Sequence, residues 1–104
     1  MIETLKKLMG IAPKADFHTL VAEGAVILDV RTKGEFNGGH IKGAVNIPLD
    51  QLSGYLNKFK DKSKTIITCC ASGTRSSIAK GILQSNGYTN VHNGGGWMRL
   101  NSKI

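Results

Sequence analysis

The sequence predicts an α/β domain in which helices cover both sides of a central, mostly parallel sheet of about five short strands. Three observations carry this. Short apolar runs alternate with amphipathic segments along the chain, the order expected of strand–helix–strand units. Glycine or proline stands at the boundaries, at Pro13, Gly24, Gly38, Gly39, Pro48 and Gly87. The length of 104 residues suits one domain, residues 1–104, burying roughly two-thirds of its unfolded surface.

Leu5, Leu8 and Met9 are spaced for a short helix over about 2–9, within an N-terminal extension (1–12) that Pro13 ends. Asp16 caps a second helix reaching Glu23, and Gly24 closes it. Ala25–Val30 is a buried strand. Thr32 caps a short turn over Gly34–Asn37, and Gly43–Ile47 is a second strand that Pro48 ends. Leu49, Leu52, Leu56 and Phe59 give one apolar face to a helix over about Leu49–Phe59. Thr65–Cys69 is the most β-like run of all. Ile78, Ala79, Ile82 and Leu83 mark the inward face of a helix over Ser76–Asn86. Asn90–His92 is a last short strand, followed by Gly94, Gly95, Gly96 and a terminal segment with Trp97 and Leu100.

Composition excludes several function classes. No apolar run approaches the ~20 residues that span a bilayer, and Met1–Gly10 carries Glu3, Lys6 and Lys7 in place of an apolar signal core. A cytoplasmic protein without membrane contact is expected. The two cysteines, Cys69 and Cys70, are neighbours, so a bond between them would close no useful loop; free thiols fit a reducing compartment. The net charge of +7 comes from scattered lysines. The densest run, Lys58–Lys64, is broken by Phe59, Asp61 and Ser63 and has the character of a solvated loop, so no nucleic-acid partner is expected. The excess charge instead supplies a field that draws in small anions. His18, His40 and His92 show no metal-ligand spacing, and no metal or other cofactor is expected. His40, in a turn, is taken as a packing or hydrogen-bonding residue.

The chemistry is concentrated between strand and helix, in Cys70-Ala71-Ser72-Gly73-Thr74-Arg75-Ser76. The strand over Thr65–Cys69 delivers Cys70 to the carboxyl edge of a parallel sheet, where such sheets bind ligands. Gly73 permits a turn that a β-carbon would penalise, and Ala71 and Ser72 are small enough for backbone N–H groups to converge. The next helix aims its unpaired N–H groups and dipole at the same point. Arg75 adds a permanent positive charge, while Ser72, Thr74 and Ser76 add hydroxyls. Such a cradle lowers a thiol pKa and makes Cys70 a nucleophile. Cys69, one residue earlier, points to the opposite face and is read as a core thiol.

This loop resembles the active-site loop of rhodanese-type single-domain sulfurtransferases, a Cys-x-x-Gly-x-Arg-Ser run between a strand and a helix. A second stretch, Asp29 to Pro48, agrees: Asp29-Val30-Arg31, then Glu35-Phe36, then Gly39-His40-Ile41-Lys42-Gly43-Ala44-Val45-Asn46-Ile47-Pro48 is similar to the family's N-terminal signature. The Gly94–Trp97 run resembles its glycine pair and Trp. The resemblance runs from about Asp16 to the end of the chain. It implies a three-layer domain that moves a sulfane sulfur through a persulfide on Cys70, with Ala71, Ser72, Gly73, Thr74, Arg75 and Ser76 holding the substrate. Implied partners are a small anionic sulfur donor such as thiosulfate, or a persulfide, and a thiol, protein or cyanide acceptor. A monomer is expected.

Three other readings stay open at this point. Phosphatases and arsenate reductases of similar fold place five residues between Cys and Arg; only four, Ala71 to Thr74, stand here, a ring better sized for one sulfur. A protein-to-protein sulfur carrier would have the same sequence. So would a redox-responsive binding module using Cys69 and Cys70.

Overall fold

The computed structural model describes residues 16–104; the helix expected over 2–9 lies outside them. Four helices and four strands alternate. Helix α1 (Phe17–Ala22) starts where Asp16 accepts hydrogen bonds from the N–H and hydroxyl of Thr19 at 3.2 and 2.7 Å. Strand β1 (Val26–Asp29) leads to α2 (Lys33–Asn37), which begins with a capping box. Thr32 Oγ1 accepts from the Glu35 N–H, and Glu35 Oε1 accepts from the Thr32 N–H. Then come β2 (Val45–Asn46), β3 (Ile66–Cys70), α3 (Thr74–Ser85), β4 (Val91–Gly96) and α4 (Trp97–Asn101).

The strands lie in the order β2-β1-β3-β4, and every neighbouring pair is parallel. Their carboxyl ends, Asp29, Asn46, Cys70 and Gly96, therefore share one edge of the sheet. The fold class matches the expectation, with four strands among the described residues where about five were expected. No helix among the described residues is long and apolar enough to cross a membrane.

Alternation along β3 divides the core in two. Ile66 and Cys70 face a cluster with Leu28, Val30, Leu52, Ala79, Leu83 and Tyr88, under α3. Ile67 and Cys69 face the other side, with Ile27, Ile41 and Leu100, against α1 and α4. Helices thus cover both sides of the sheet.

Two elements differ from the sequence reading. The helix expected over Leu49–Phe59 is a pair of 3₁₀ segments, Leu49–Gly54 and Leu56–Lys58. Ser53 and Gly54 are poor helix formers in mid-segment, and the Leu49–Leu52 spacing of three suits the tighter turn. Leu52 is still buried, so the apolar face is as expected and only the helix type differs. The last strand runs on through Gly94–Gly96 and meets α4 directly. That extension depends on glycine: a Cβ on Gly94 would lie 2.8 Å from both Leu100 Cδ2 and the Thr68 carbonyl oxygen.

Candidate active site

Cys70 is the last residue of β3, and its Sγ sits beneath the loop that follows, with the residue only 1% exposed. The chain turns at Gly73, whose φ of +110° lies in the left-handed region closed to most side chains. This turn brings the Gly73 N–H to 2.9 Å from Sγ. One turn into α3, the Ser76 N–H reaches Sγ at 3.3 Å, and Ser76 Oγ lies 3.5 Å from it. Thr68 Oγ1 donates to the Ser76 carbonyl at 2.9 Å and fixes the start of α3 against the strand.

These contacts decide the charge on sulfur. Burial opposes ionisation of Cys70, but hydrogen bonds from the Ser76 hydroxyl and the N–H groups of Ser76, Gly73 and Ser72 outweigh it. The thiol is held below its ordinary value. Cys69 shows the opposite outcome one residue away. Burial without donors, beside the Asp29 carboxylate, pushes its thiol up to about 12. The two adjacent thiols thus shift in opposite directions, donors favouring the ionised form of Cys70 and burial disfavouring that of Cys69.

The structure brings Ala71, Ser72, Gly73, Thr74, Arg75 and Ser76 into one turn around Cys70, but they are placed differently. Gly73 and Ser76 contact Sγ directly, while Ala71, Ser72 and Thr74 line the exposed rim. Arg75 turns outward. Its Nη1 and Nη2 donate to the two carboxylate oxygens of Glu35 at 2.6 and 2.9 Å. Those bonds, with that of the Thr32 N–H, hold the Glu35 carboxyl down at about 2.

Arg31 takes a different partner from the Glu35 carboxylate. Its guanidinium forks onto buried Asp29 (2.7–3.1 Å) and donates to the carbonyls of Glu35 and Gly39, lying 4.7 Å over the Trp97 ring. Asn46 donates to the carbonyls of Asp29 and Arg31. The signature from Asp29 to Pro48 is therefore a brace beside the loop. His40 belongs to that brace, stacked on Phe36 with Nδ1 2.8 Å from the Phe36 carbonyl.

Asn93 is a site residue that the sequence reading missed. Its Oδ1 lies 2.7 Å from Ser76 Oγ and accepts from the Gly95 N–H at 2.9 Å. The available signal was an Asn two residues before a glycine, the pattern of a side-chain-closed turn. Among the described residues, no group of three or more His, Cys, Asp or Glu could hold a metal ion.

Comparison with known proteins agrees with this geometry. Residues 14–103 match the model of the rhodanese-like domain. The Bacillus subtilis (strain 168) protein YqhL is 41% identical over 81 residues, covering 77% of this chain and 64% of its own length. Thiosulfate sulfurtransferase PspE of Escherichia coli (strain K12) is 39% identical over 70 residues, 66% of this chain and 67% of its own. The chain thus spans about two-thirds of these relatives. A tRNA uridine(34) hydroxylase of Bacillus thuringiensis (strain Al Hakam) is 31% identical over 86 residues, but those are only 27% of its length. A solved rhodanese with anions from E. coli superposes with a TM-score of 0.68 at 35% identity, over 73% of this chain and 91% of that one. Family model, relatives and superposition converge, and the chain belongs to the rhodanese-like domain family.

Proposed function

We propose that this protein is a sulfurtransferase that carries a sulfane sulfur as a persulfide on Cys70. The observation that carries the reading is the convergence of the Gly73 and Ser76 N–H groups on Sγ, with no other thiol on that face of the sheet. In the first step the Cys70 thiolate attacks the outer sulfur of thiosulfate. A Cys70–sulfur bond forms, the sulfur–sulfur bond of the donor breaks, and its electron pair leaves with sulfite. In the second step an acceptor thiolate or cyanide attacks the outer sulfur of the persulfide, and the electron pair of the broken bond returns to Cys70. Neither step needs a proton relay, because nucleophile and leaving group are both anions. Preorganised N–H dipoles supply the stabilisation.

Ala71, Ser72, Gly73, Thr74, Arg75 and Ser76 form the substrate-facing ring in this reading. The donor is a small anion, drawn by the +7 net charge. A thiol or a protein persulfide carrier is the natural partner, with neither nucleic acid nor membrane involved, and the protein works as a monomer. Two neighbouring free cysteines favour the cytoplasm.

Intact-mass measurement after incubation with thiosulfate tests the reading. The wild-type protein is expected to gain one sulfur atom and lose it to cyanide as thiocyanate, and Cys70→Ser to gain none. A folded wild-type protein that gains no sulfur from thiosulfate or from low-molecular-weight persulfides would sink it.

A further inference from the structure

Beside the loop lies a second feature that the chemistry at Cys70 does not use. A cavity of about 520 Å³ is lined by Ala71 and Ser72 together with Asn93, Met98, Arg99 and Lys103. Its size is that of a site for a small organic ligand, not for a five-atom anion. At roughly 30 Å³ per water, it has room for ten or more water-sized groups.

Its lining is chemically one-sided. Arg99 and Lys103 are four residues apart and both exposed, and the lining includes no acid. Neither is paired with a carboxylate among the described residues. Met98, 70% exposed, adds an apolar lip, while the side chain of Asn93 adds polar character. Ala71 and Ser72, the two residues after Cys70, share this lining with both cations, so a ligand seated here lies beside the reactive loop and within the field of Arg99 and Lys103.

Resting on the reading of Cys70 as the transfer nucleophile, we propose that this cavity seats the sulfur acceptor, and that Arg99 and Lys103 select thiol acceptors that bear a carboxylate. In the step it serves, the acceptor thiolate forms a bond to the outer persulfide sulfur, the Cys70 sulfur–sulfur bond breaks, and its electron pair stays on Cys70. The acceptor leaves as a carboxylate-bearing persulfide. Flexible, exposed cations add selectivity of a few-fold each, and salt weakens it.

The experiment starts from protein already loaded with sulfur and follows unloading by N-acetylcysteine and by its neutral amide. In Arg99→Ala/Lys103→Ala the ratio of kcat/KM for acid over amide is expected to fall about five- to ten-fold, as for two exposed ion pairs. Arg99→Lys/Lys103→Arg is expected to restore that ratio, which excludes a folding defect. An unchanged ratio, or equal losses with both acceptors, overturns the proposal.

If the wild-type protein never loads sulfur, the transfer reading fails, and titration of Cys70→Ser with N-acetylserine judges the cavity alone. Amide shifts at Gly94–Gly96 that vanish in the double alanine variant support a carboxylate site. Their absence overturns it.

Discussion

Arg75 and Glu35 stand forty positions apart, yet they meet in a two-pronged ion pair at 2.6 and 2.9 Å. Glu35 also closes the capping box of α2 through Thr32, so one carboxylate ties the start of α2 to the first turn of α3. The positive charge of Arg75 therefore reaches the cradle partly neutralised, and its first task is to hold the loop. Glu35→Gln is expected to lower kcat/KM for thiosulfate by up to about ten-fold with a small change in melting temperature, since exposed pairs add little to stability. Arg75→Ala is expected to slow transfer from thiosulfate more than from an uncharged persulfide donor. Unchanged donor preference would remove Arg75 from substrate handling.

The same pair makes an acid-side prediction. Glu35 has its carboxyl held at about 2 in the folded protein, first by the Arg75 hydrogen bonds and then by the Thr32 N–H. An unfolded Glu titrates near about 4.3. A depressed folded value stabilises above the unfolded one, and that stabilisation drains away as pH falls through the window between them. Melting temperature measured from pH 5 to pH 2 is expected to fall more steeply in wild type than in Glu35→Gln. Parallel curves would show that the pair contributes nothing in solution.

Cys69 and Cys70 are expected to separate cleanly by pH. Donors hold the Cys70 thiol below its ordinary value, whereas burial and Asp29 push Cys69 to about 12. Iodoacetamide at neutral pH, followed by peptide mapping, is expected to label Cys70 alone. Cys69→Ser is expected to keep transfer within about two-fold of wild type, because only a thiolate reacts, while Cys70→Ser abolishes it. The cost of Cys69→Ser is stability, about 1–3 kcal/mol for a hydroxyl placed in an apolar core. Equal loss of transfer in both folded variants would mean a dithiol mechanism.

What could be read from the sequence was local. The Cys70–Ser76 loop is contiguous, so its turn at Gly73, its donors and its helix follow from residue types alone. The opposite orientations of Cys69 and Cys70 follow from strand alternation. The partners across the sheet could not be read this way. Nothing in the order of residues says that Glu35 closes on Arg75 and not on Arg31, or that Asn93 reaches Ser76; both depend on β1, β3 and β4 lying side by side in register. The 3₁₀ segments at Leu49–Lys58 were hidden for a different reason, since an apolar residue every three or four positions fits either helix.

Two glycines should respond in opposite directions. A Cβ at Gly94 would lie 2.8 Å from the Thr68 carbonyl oxygen, part of β3 and unable to yield. Gly94→Ala is expected to cost about 1–3 kcal/mol or more, by overpacking between β3 and α4. Gly81, in the middle of α3, has open space where a methyl group would stand, with nothing within 4 Å. Gly81→Ala is expected to stabilise by about 0.5–1 kcal/mol through helix propensity. Urea midpoints at unchanged slope measure both. A neutral Gly94→Ala would mean that β4 can shift away from β3.

Ser76 and Asn93 give the sharpest test of how the cradle works, because Ser76 has one hydroxyl proton and three acceptors within reach. Asn93 Oδ1 lies at 2.7 Å, the Gly73 carbonyl at 2.9 Å and Cys70 Sγ at 3.5 Å. While Cys70 is a thiol, it can donate to Ser76 Oγ, and the Ser76 proton goes to an oxygen. Once Cys70 ionises, the sulfur joins those two oxygens as an acceptor for that proton. The Gly95 N–H pins Oδ1 in place, so Asn93 competes with the thiolate for the same proton. Ser76→Ala is expected to raise the Cys70 pKa and slow alkylation at pH 7 by about three- to ten-fold, the worth of one hydrogen bond of about 1 kcal/mol. At high pH, where the thiolate is complete, the rates should converge. Asn93→Ala is expected to act in the opposite direction, freeing the hydroxyl and lowering the pKa. Should both substitutions move the alkylation profile the same way, Asn93 would be holding Ser76 in place and not competing for its proton.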